Sequence, residues 1–128
     1  MRSRRIAVKL RILVVEDDEA VRTSLSNFLR AWGHDVDTAD DGAAGLKAAL
    51  ASRYDVAILD LSMPRMDGLD VCRKLVESAE RPYLIAHTAW VRPDDQKRVR
   101  DAGFNVHFRK GRDPQELLRI LADVIPRS

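Results

Sequence analysis

The sequence lacks three features that would assign a protein to a class directly: paired cysteines, an excess of one charge and a long uninterrupted apolar run. The single Cys72 excludes an internal disulfide and suits a reducing compartment. Because 22 basic and 20 acidic residues leave a formal net charge of +2, bulk charge selects no class of partner. The apolar stretch near the N-terminus is interrupted by Lys9 and Arg11 and followed by acidic residues, which is not typical of a signal peptide. We therefore expect a cytoplasmic protein.

What is present fits one ordinary globular domain. The chain has 128 residues, of which 45% are hydrophobic and 33% charged, a balance typical of neither disordered nor membrane-spanning chains. Basic residues crowd the N-terminus, but without interleaved aromatic residues or a helix-turn-helix pattern they favour a solubilising tail over a nucleic-acid site. We expect a flexible basic tail at residues 1–8 and a single domain at residues 9–126.

Five short apolar segments alternate with segments of helical spacing. The predicted strands are 10–15, 35–39, 56–59, 83–86 and 104–108, and the predicted helices are 20–33, 43–51, 69–76, 94–102 and 114–125. This alternation predicts an α/β fold in which a parallel sheet has helices on both faces. The runs ILVV in the first strand and VAILDL at the third are continuous rather than alternating, as expected of strands that are covered on both sides.

Polar residues lie at the carboxyl ends of four of the predicted strands. They are Glu16 and Asp17 after the first strand, Asp60 after the third, Thr88 after the fourth and Lys110 after the fifth. Ligands of doubly wound sheets bind beyond the carboxyl ends of the strands, so we expect these side chains to share one crevice. Two like charges about 4 Å apart repel by roughly 4 kcal/mol at an effective dielectric constant near 20. Lys110 can offset one charge, and the oxygen ligands predict a divalent cation, magnesium or manganese, to offset the rest.

A carboxylate beside a metal, a lysine and a hydroxyl is suited to bind and accept a phosphoryl group. The cations would neutralise the phosphoryl oxygens while the carboxylate attacks phosphorus and forms an acyl phosphate. Asp60 is the candidate nucleophile, because it ends the most apolar strand and is followed by the loop SMPRMDG.

Four stretches together resemble the receiver domain of bacterial two-component response regulators: ILVVEDDE, VAILDLSMPRMDGLDV, HTA and AGFNVHFRK. The similarity extends over about residues 10–125, with the motifs in the family's order and spacing. The resemblance implies a flavodoxin-like, doubly wound sheet of five parallel strands in the order 2-1-3-4-5. It also implies that residues 9–126 form the receiver domain.

The resemblance assigns a role to each strand-end residue. Asp17 would be a direct magnesium ligand, and Glu16 would act largely through water. Asp60 would be both the phosphoacceptor and a ligand, and Ser62 would supply its backbone carbonyl to the metal. The remaining two, Thr88 and Lys110, would contact the phosphoryl group.

Three residues depart from the family's pattern near the site. Gly111 stands where the family usually has a proline, so the loop after Lys110 is either more mobile or follows the same path through glycine's freedom. His107 stands where an aromatic residue commonly changes rotamer on activation, and a histidine there would add pH sensitivity. Trp90 is bulky for its position, and with Ser62 it predicts slowed loss of the phosphoryl group.

The function implied is a phosphorylation switch rather than an enzyme with an external substrate. A histidine kinase or histidine phosphotransfer protein would donate the phosphoryl group, and a downstream protein would bind the surface of the fourth helix, fifth strand and fifth helix. Arg98, Arg100 and Arg119 are the candidate contacts on that surface. We expect no binding to nucleic acid or membrane, and a monomer or weak dimer.

Three other hypotheses stay open. Met1 favours a complete single-domain protein, but a receiver fragment of a longer regulator or hybrid kinase would have the same sequence. A phosphohydrolase would share the metal and the aspartyl phosphate, although Ser62 stands where such enzymes usually have a second aspartate as general acid. A phosphorylation-independent interaction module would not need Asp60 at all.

Overall fold

A computed structural model describes residues 8–89 and 92–126. Five strands and five helices alternate along the chain: β1 Arg11–Val15, α1 Glu19–Ala31, β2 Asp35–Ala39, α2 Gly42–Ala51, β3 Val56–Asp60, α3 Gly68–Leu75, β4 Tyr83–Thr88, α4 Pro93–Ala102, β5 Val106–Arg109 and α5 Pro114–Ala122. In the described part of the chain, no helix is both long enough and apolar enough to cross a membrane.

The five strands form one parallel sheet in the order β2-β1-β3-β4-β5, which confirms the predicted fold. Strand β3 lies at the centre and all five of its residues are buried. The register places Asp60 beside His87, so Thr88 lies one residue further along β4. The carboxyl ends of β1, β3, β4 and β5 therefore meet at one edge of the sheet.

The predicted strand bounds differ from the observed ones mainly at β4 and β5. Strand β4 continues through Thr88 because its last residues still pair with β5. Strand β5 begins two residues later than predicted, because Phe104 donates its N–H to the carbonyl of Val99 near the end of α4. Gly103, at φ +112°, makes that hydrogen bond possible.

Apolar side chains fill a core on each face of the sheet. Helices α2, α3 and α4 cover one face, where Leu13, Leu59 and Leu84 are buried. Helices α1 and α5 cover the other face, where Ile12, Ile58 and Ile85 are buried. Because successive strand residues point to opposite faces, the continuous apolar strands supply both cores, as the sequence predicted.

Aspartates cap the helices that follow the site's loops. Asp18 accepts a hydrogen bond from the N–H of Val21 at the start of α1, directly after the acidic pair. Asp67 begins α3 with a reciprocal capping box made with Asp70. These caps fix where α1 and α3 begin after the loops that follow β1 and β3.

Candidate functional site

The sheet brings two buried carboxylates and a lysine together. Glu16 and Asp60 are 1% and 2% exposed, and Nζ of Lys110 lies 3.1 Å from Glu16 Oε1 and 3.3 Å from Asp60 Oδ1. Asp17 is exposed beside them. Carboxylate oxygens of Glu16, Asp17 and Asp60 all lie within 4.8 Å of one another, the one such group of potential metal ligands found in the described ranges.

Backbone hydrogen bonds hold the two carboxylates in place. Asp18 donates its N–H to Glu16 Oε2 at 3.2 Å, and Ser62 donates its N–H to Asp60 Oδ1 at 3.1 Å. Arg22, one turn into α1, donates from Nη1 to the Glu16 carbonyl at 2.9 Å. The sequence analysis missed Arg22. Its only signal was a basic residue in the first turns of a helix that begins just after an acidic pair.

Burial and mutual repulsion shift the protonation of this cluster. Burial, together with the neighbouring Asp60, raises the pKa of Glu16 to about 7. Burial by itself would raise the pKa of Asp60 too, but its hydrogen bonds with Glu16 and Ser62 and the charge of Lys110 lower it. Burial lowers the pKa of Lys110, but its two carboxylate partners raise it above its ordinary value. In the absence of a divalent cation, Asp60 is therefore the ionised partner of Lys110, while Glu16 takes up a proton more readily than an ordinary glutamate.

The donor set fits a hard divalent cation. Oε1 of Glu16 is buried and accepts no hydrogen bond of normal geometry within the described residues, so its 3.1 Å contact with Lys110 is an ion pair only. Three carboxylates face one ammonium group, which leaves an excess of negative charge. All the available ligand atoms are oxygens, as magnesium and manganese prefer.

Thr88 and His107 lie on neighbouring strands at the same edge. Thr88 is fully buried, and its carbonyl accepts the N–H of Lys110 at 2.9 Å. Nε2 of His107 lies 3.4 Å from that same carbonyl oxygen. A carbonyl only accepts, so the ring nitrogen in this contact must be the donor. Trp90, the other predicted modulating residue, lies outside the described residues.

Gly111 gives the loop after Lys110 a path that proline could not follow. Its φ is +87°, in the left-handed region, whereas the proline ring fixes φ near −65°. The loop therefore does not follow the path that a proline at this position would take. The departure from the family's pattern is therefore a different local backbone geometry behind Lys110.

His87 is a neighbour of the site that the sequence analysis did not include. It is buried in β4, stacks on Phe108 with ring centroids 5.4 Å apart, and places Nδ1 4.0 Å from Glu16 Oε1. Burial, and next the charge of Lys110, lower the pKa of His87 to about 4. The ring is therefore neutral, and it does not reduce the negative charge of the cluster.

Comparison with known proteins points to one family. A family model described as the response regulator receiver domain matches residues 12–122. The response regulator MprA of Mycobacterium ulcerans (strain Agy99) is 36% identical over 121 residues, which are 94% of this chain and 52% of that protein. The response regulator MprA of Mycobacterium leprae (strain TN) is 35% identical over 119 residues, again 52% of that protein. The chain thus spans about half the length of these curated relatives.

Solved structures have the same fold. The chemotaxis protein CheY4 of Vibrio cholerae matches with a TM-score of 0.86 at 27% identity, covering 92% of this chain and 100% of that one. The receiver domain of the sensor histidine kinase PA1611 from Pseudomonas aeruginosa PAO1 matches with a TM-score of 0.82 at 31% identity, covering 89% and 95%. That structure is described as having a magnesium ion coordinated in the active site cleft.

Proposed function

The chain belongs to the response regulator receiver domain family, and from this premise we propose that it is a phosphorylation-dependent signalling switch with Asp60 as the phosphoacceptor. The observation that supports this most is the geometry at Asp60. Its carboxylate is 2% exposed, ionised and 3.3 Å from Lys110, in a crevice with an excess of negative charge. Burying an ionised carboxylate costs stability unless opposite charge and hydrogen bonds compensate it, and here one lysine faces three carboxylates.

In the proposed reaction, a carboxylate oxygen of Asp60 attacks phosphorus, and the bond from phosphorus to the donor's leaving nitrogen or oxygen breaks. The leaving group takes the electron pair of that bond, and the product is an aspartyl phosphate. The Ser62 N–H orients the nucleophile by its 3.1 Å bond to Oδ1. Lys110, already between the two carboxylates, pairs with a phosphoryl oxygen as charge develops there.

The proposed cation ligands are Asp17 and Asp60 directly, Glu16 largely through water, and the backbone carbonyl of Ser62. A bound magnesium ion would supply electrostatic stabilisation of the phosphoryl oxygens. Glu16 fits this role because its Oε1 is buried without an aligned hydrogen bond. The metal preference, magnesium with manganese as the alternative, rests on the all-oxygen donor set.

Thr88 and His107 are the proposed route from the phosphoryl group to the surface. Thr88 would turn its hydroxyl toward the phosphoryl group, and His107 would respond through the backbone carbonyl that it contacts at 3.4 Å. Strand β5 and helices α4 and α5 would then shift between two arrangements. Trp90 and Ser62 are proposed to slow dephosphorylation by limiting the approach of water.

The proposed partners are a histidine kinase or histidine phosphotransfer protein as donor and a downstream protein on the surface formed by α4, β5 and α5. Arg98, Arg100 and Arg119 are exposed on those two helices and are the proposed contacts. The domain bounds of 9–126, the cytoplasmic location and the oligomeric state remain predictions. Whether the domain acts alone or as part of a longer regulator is a separate question from the chemistry at Asp60.

Intact-protein mass after incubation with acetyl phosphate tests the proposal. The wild type with magnesium should gain about 80 Da, the mass of one phosphoryl group replacing a proton. The gain should be absent when magnesium is removed by a chelator and absent in Asp60→Asn. A wild type that gains nothing, or an Asp60→Asn variant that gains the same mass, contradicts the proposal.

A phosphorylation-independent interaction module is the alternative that this experiment separates. It would leave the wild-type mass unchanged, and binding to its partner would be unaffected by Asp60→Asn. The crevice argues against it, because a pure binding module gains nothing from a buried carboxylate pair with one lysine.

A further inference from the structure

The first turn of α2 lies unusually close to the loop that follows Asp60. A Cβ atom added at Gly42, the first residue of α2, would be 1.9 Å from the carbonyl oxygen of Met66 and 2.9 Å from its carbonyl carbon. Real Cβ atoms essentially never approach another heavy atom that closely, and here the neighbour is backbone rather than a flexible side-chain end. The loop can therefore occupy its position only because residue 42 has no side chain.

Nothing in the helix itself requires glycine at that position. Gly42 does not have a positive φ, so its backbone suits any residue. Asp41 already caps α2 by accepting the N–H of Ala44 at 2.7 Å. Glycine also weakens a helix relative to alanine. The space taken by Met66 is thus the physical reason for glycine at this position.

A second close approach joins the residue after the loop to the residue before it. A Cβ added at Gly68 would be 2.4 Å from the carbonyl oxygen of Asp60. Arg65, directly before Met66, has a φ of +62°, which a non-glycine residue rarely adopts. Two backbone contacts thus hold the C-terminal part of this loop, one of Met66 against α2 and one of Gly68 against the nucleophile's own carbonyl.

This loop contains a proposed metal ligand. Ser62 donates its N–H to Asp60 Oδ1 and would offer its carbonyl to the cation. The loop cannot easily absorb a displacement at Met66, because Gly68 is packed against Asp60. The displacement would therefore reach Ser62 and the orientation of the Asp60 carboxylate.

We propose that Gly42 is a positioning residue of the site: the contact of its Cα with the Met66 carbonyl holds residues 61–67 where Ser62 and Asp60 can share one cation with Asp17. The inference rests on the proposed function, because it assumes that these residues bind magnesium. Gly42 itself touches neither the cation nor the phosphoryl group.

Magnesium chloride titrated calorimetrically into Gly42→Ala and wild type tests this inference. We expect the variant to bind magnesium about 10- to 100-fold more weakly, the usual loss when a residue that orients metal ligands is changed. Phosphorylation of Asp60 by acetyl phosphate should then need correspondingly more magnesium to reach its maximal rate. Ala44→Gly is the matched control, since Ala44 is exposed and the change weakens the same helix without touching the loop. It should bind magnesium like the wild type.

A second variant separates positioning from folding. In the double variant Gly42→Ala, Arg65→Gly, the glycine at position 65 frees the loop to move away from the added methyl group. Circular dichroism should report a folded protein whose magnesium affinity stays low, even if Gly42→Ala alone fails to fold. Wild-type magnesium affinity in either variant overturns the inference.

The outcomes for Gly42 and for the proposed function are distinct. If the wild type binds magnesium but Asp60 gains no phosphoryl group, the switch chemistry fails while the titrations still decide the role of Gly42. If Asp60 is phosphorylated and Gly42→Ala binds magnesium normally, only the positioning role fails. A wild type that binds no magnesium contradicts both.

Discussion

The two ends of the sheet contain the same kinds of polar side chain, but the hydrogen bonding of these side chains differs between the ends. At the amino end, Nδ1 of the buried His34 accepts the N–H of Leu10 at 3.1 Å, and Asp55 accepts the N–H of Arg11 at 2.7 Å. At the carboxyl end, Oε1 of Glu16 is the one buried side-chain nitrogen or oxygen atom in the described residues without a hydrogen bond. Buried polar groups are normally paired, so the imbalance at the carboxyl end requires a reason.

The polar groups at the amino end therefore stabilise the fold, whereas those at the carboxyl end are available to bind a ligand. Burial and Asp37, which accepts a hydrogen bond from the Tyr54 hydroxyl at 2.7 Å, raise the pKa of Tyr54 to about 12, so Tyr54 stays protonated at any ordinary pH. At the carboxyl end, the pKa of Glu16 is about 7 and that of Asp60 is lowered, so the charge there responds to any cation that arrives. The polar groups named at the amino end are paired within the protein, whereas the carboxylates at the carboxyl end need a cation to balance their charge.

Removing the lysine from the carboxyl end should have the largest effect. We expect Lys110→Met to slow phosphorylation of Asp60 by acetyl phosphate about 10²- to 10³-fold, as loss of one preorganised charge-stabilising group does. The rate is measured from the phosphorylated fraction in intact-protein mass spectra. Lys9→Met is the control at the amino end, where Lys9 and Asp35 form an exposed ion pair at 3.5 Å. A near-normal rate in Lys110→Met would contradict the role of Lys110.

Substitution of Asp55 at the amino end should lower stability and leave phosphorylation unchanged. Asp55→Ala leaves the Arg11 N–H without its acceptor, and we expect the free energy of unfolding to fall by about 1–3 kcal/mol. Urea denaturation measures this loss. The rate of Asp60 phosphorylation should stay at the wild-type value under conditions where the variant is folded. A loss of phosphorylation in the folded variant would show that the two ends are not separable.

His34 should make the amino end sensitive to acid. Burial lowers the pKa of His34 below 6.5 in the folded protein, so the unfolded chain binds a proton at His34 more tightly than the folded protein does. The free energy of unfolding should therefore be unaffected by His34 above about pH 6.5 and should fall below it, by at most about 1.4 kcal/mol per pH unit. His34→Asn keeps an acceptor for Leu10 and should remove this contribution. Parallel stability curves for the two proteins from pH 7 to pH 5 would contradict the prediction.

The smallest effect is expected at Gly111. Gly111→Ala places a Cβ in open space, so the only penalty is the positive φ, about 1 kcal/mol of stability. Gly111→Pro, which restores the residue common in the family, cannot adopt φ +87° and should cost more. Thermal unfolding of both variants measures which substitution lowers stability more. If Gly111→Pro were the more stable, the loop would have a second accessible path.

The sequence predicted the fold and which strand-end residues lie close together, but not the contacts made by residues of other elements. Alternating periodicities led to the five strands, and parallel strands necessarily end at one edge, so the residue pattern alone placed Glu16, Asp60 and Lys110 together. The contacts of Arg22 with the Glu16 carbonyl and of Gly42 with Met66 could not be predicted. They depend on how closely a helix approaches a loop, which is decided by packing between elements far apart in sequence.

The most direct test of this comparison is a calorimetric titration of magnesium chloride into the wild type, Asp17→Asn and Asp55→Asn. Asp17 and Asp55 are both aspartates at ends of the same sheet, one in the unbalanced cluster and one in a completed hydrogen bond. We predict one magnesium ion bound by the wild type and by Asp55→Asn with equal affinity, and little or no binding by Asp17→Asn. Equal binding by all three proteins, or none by the wild type, would contradict the claim that the carboxyl end is completed by a cation.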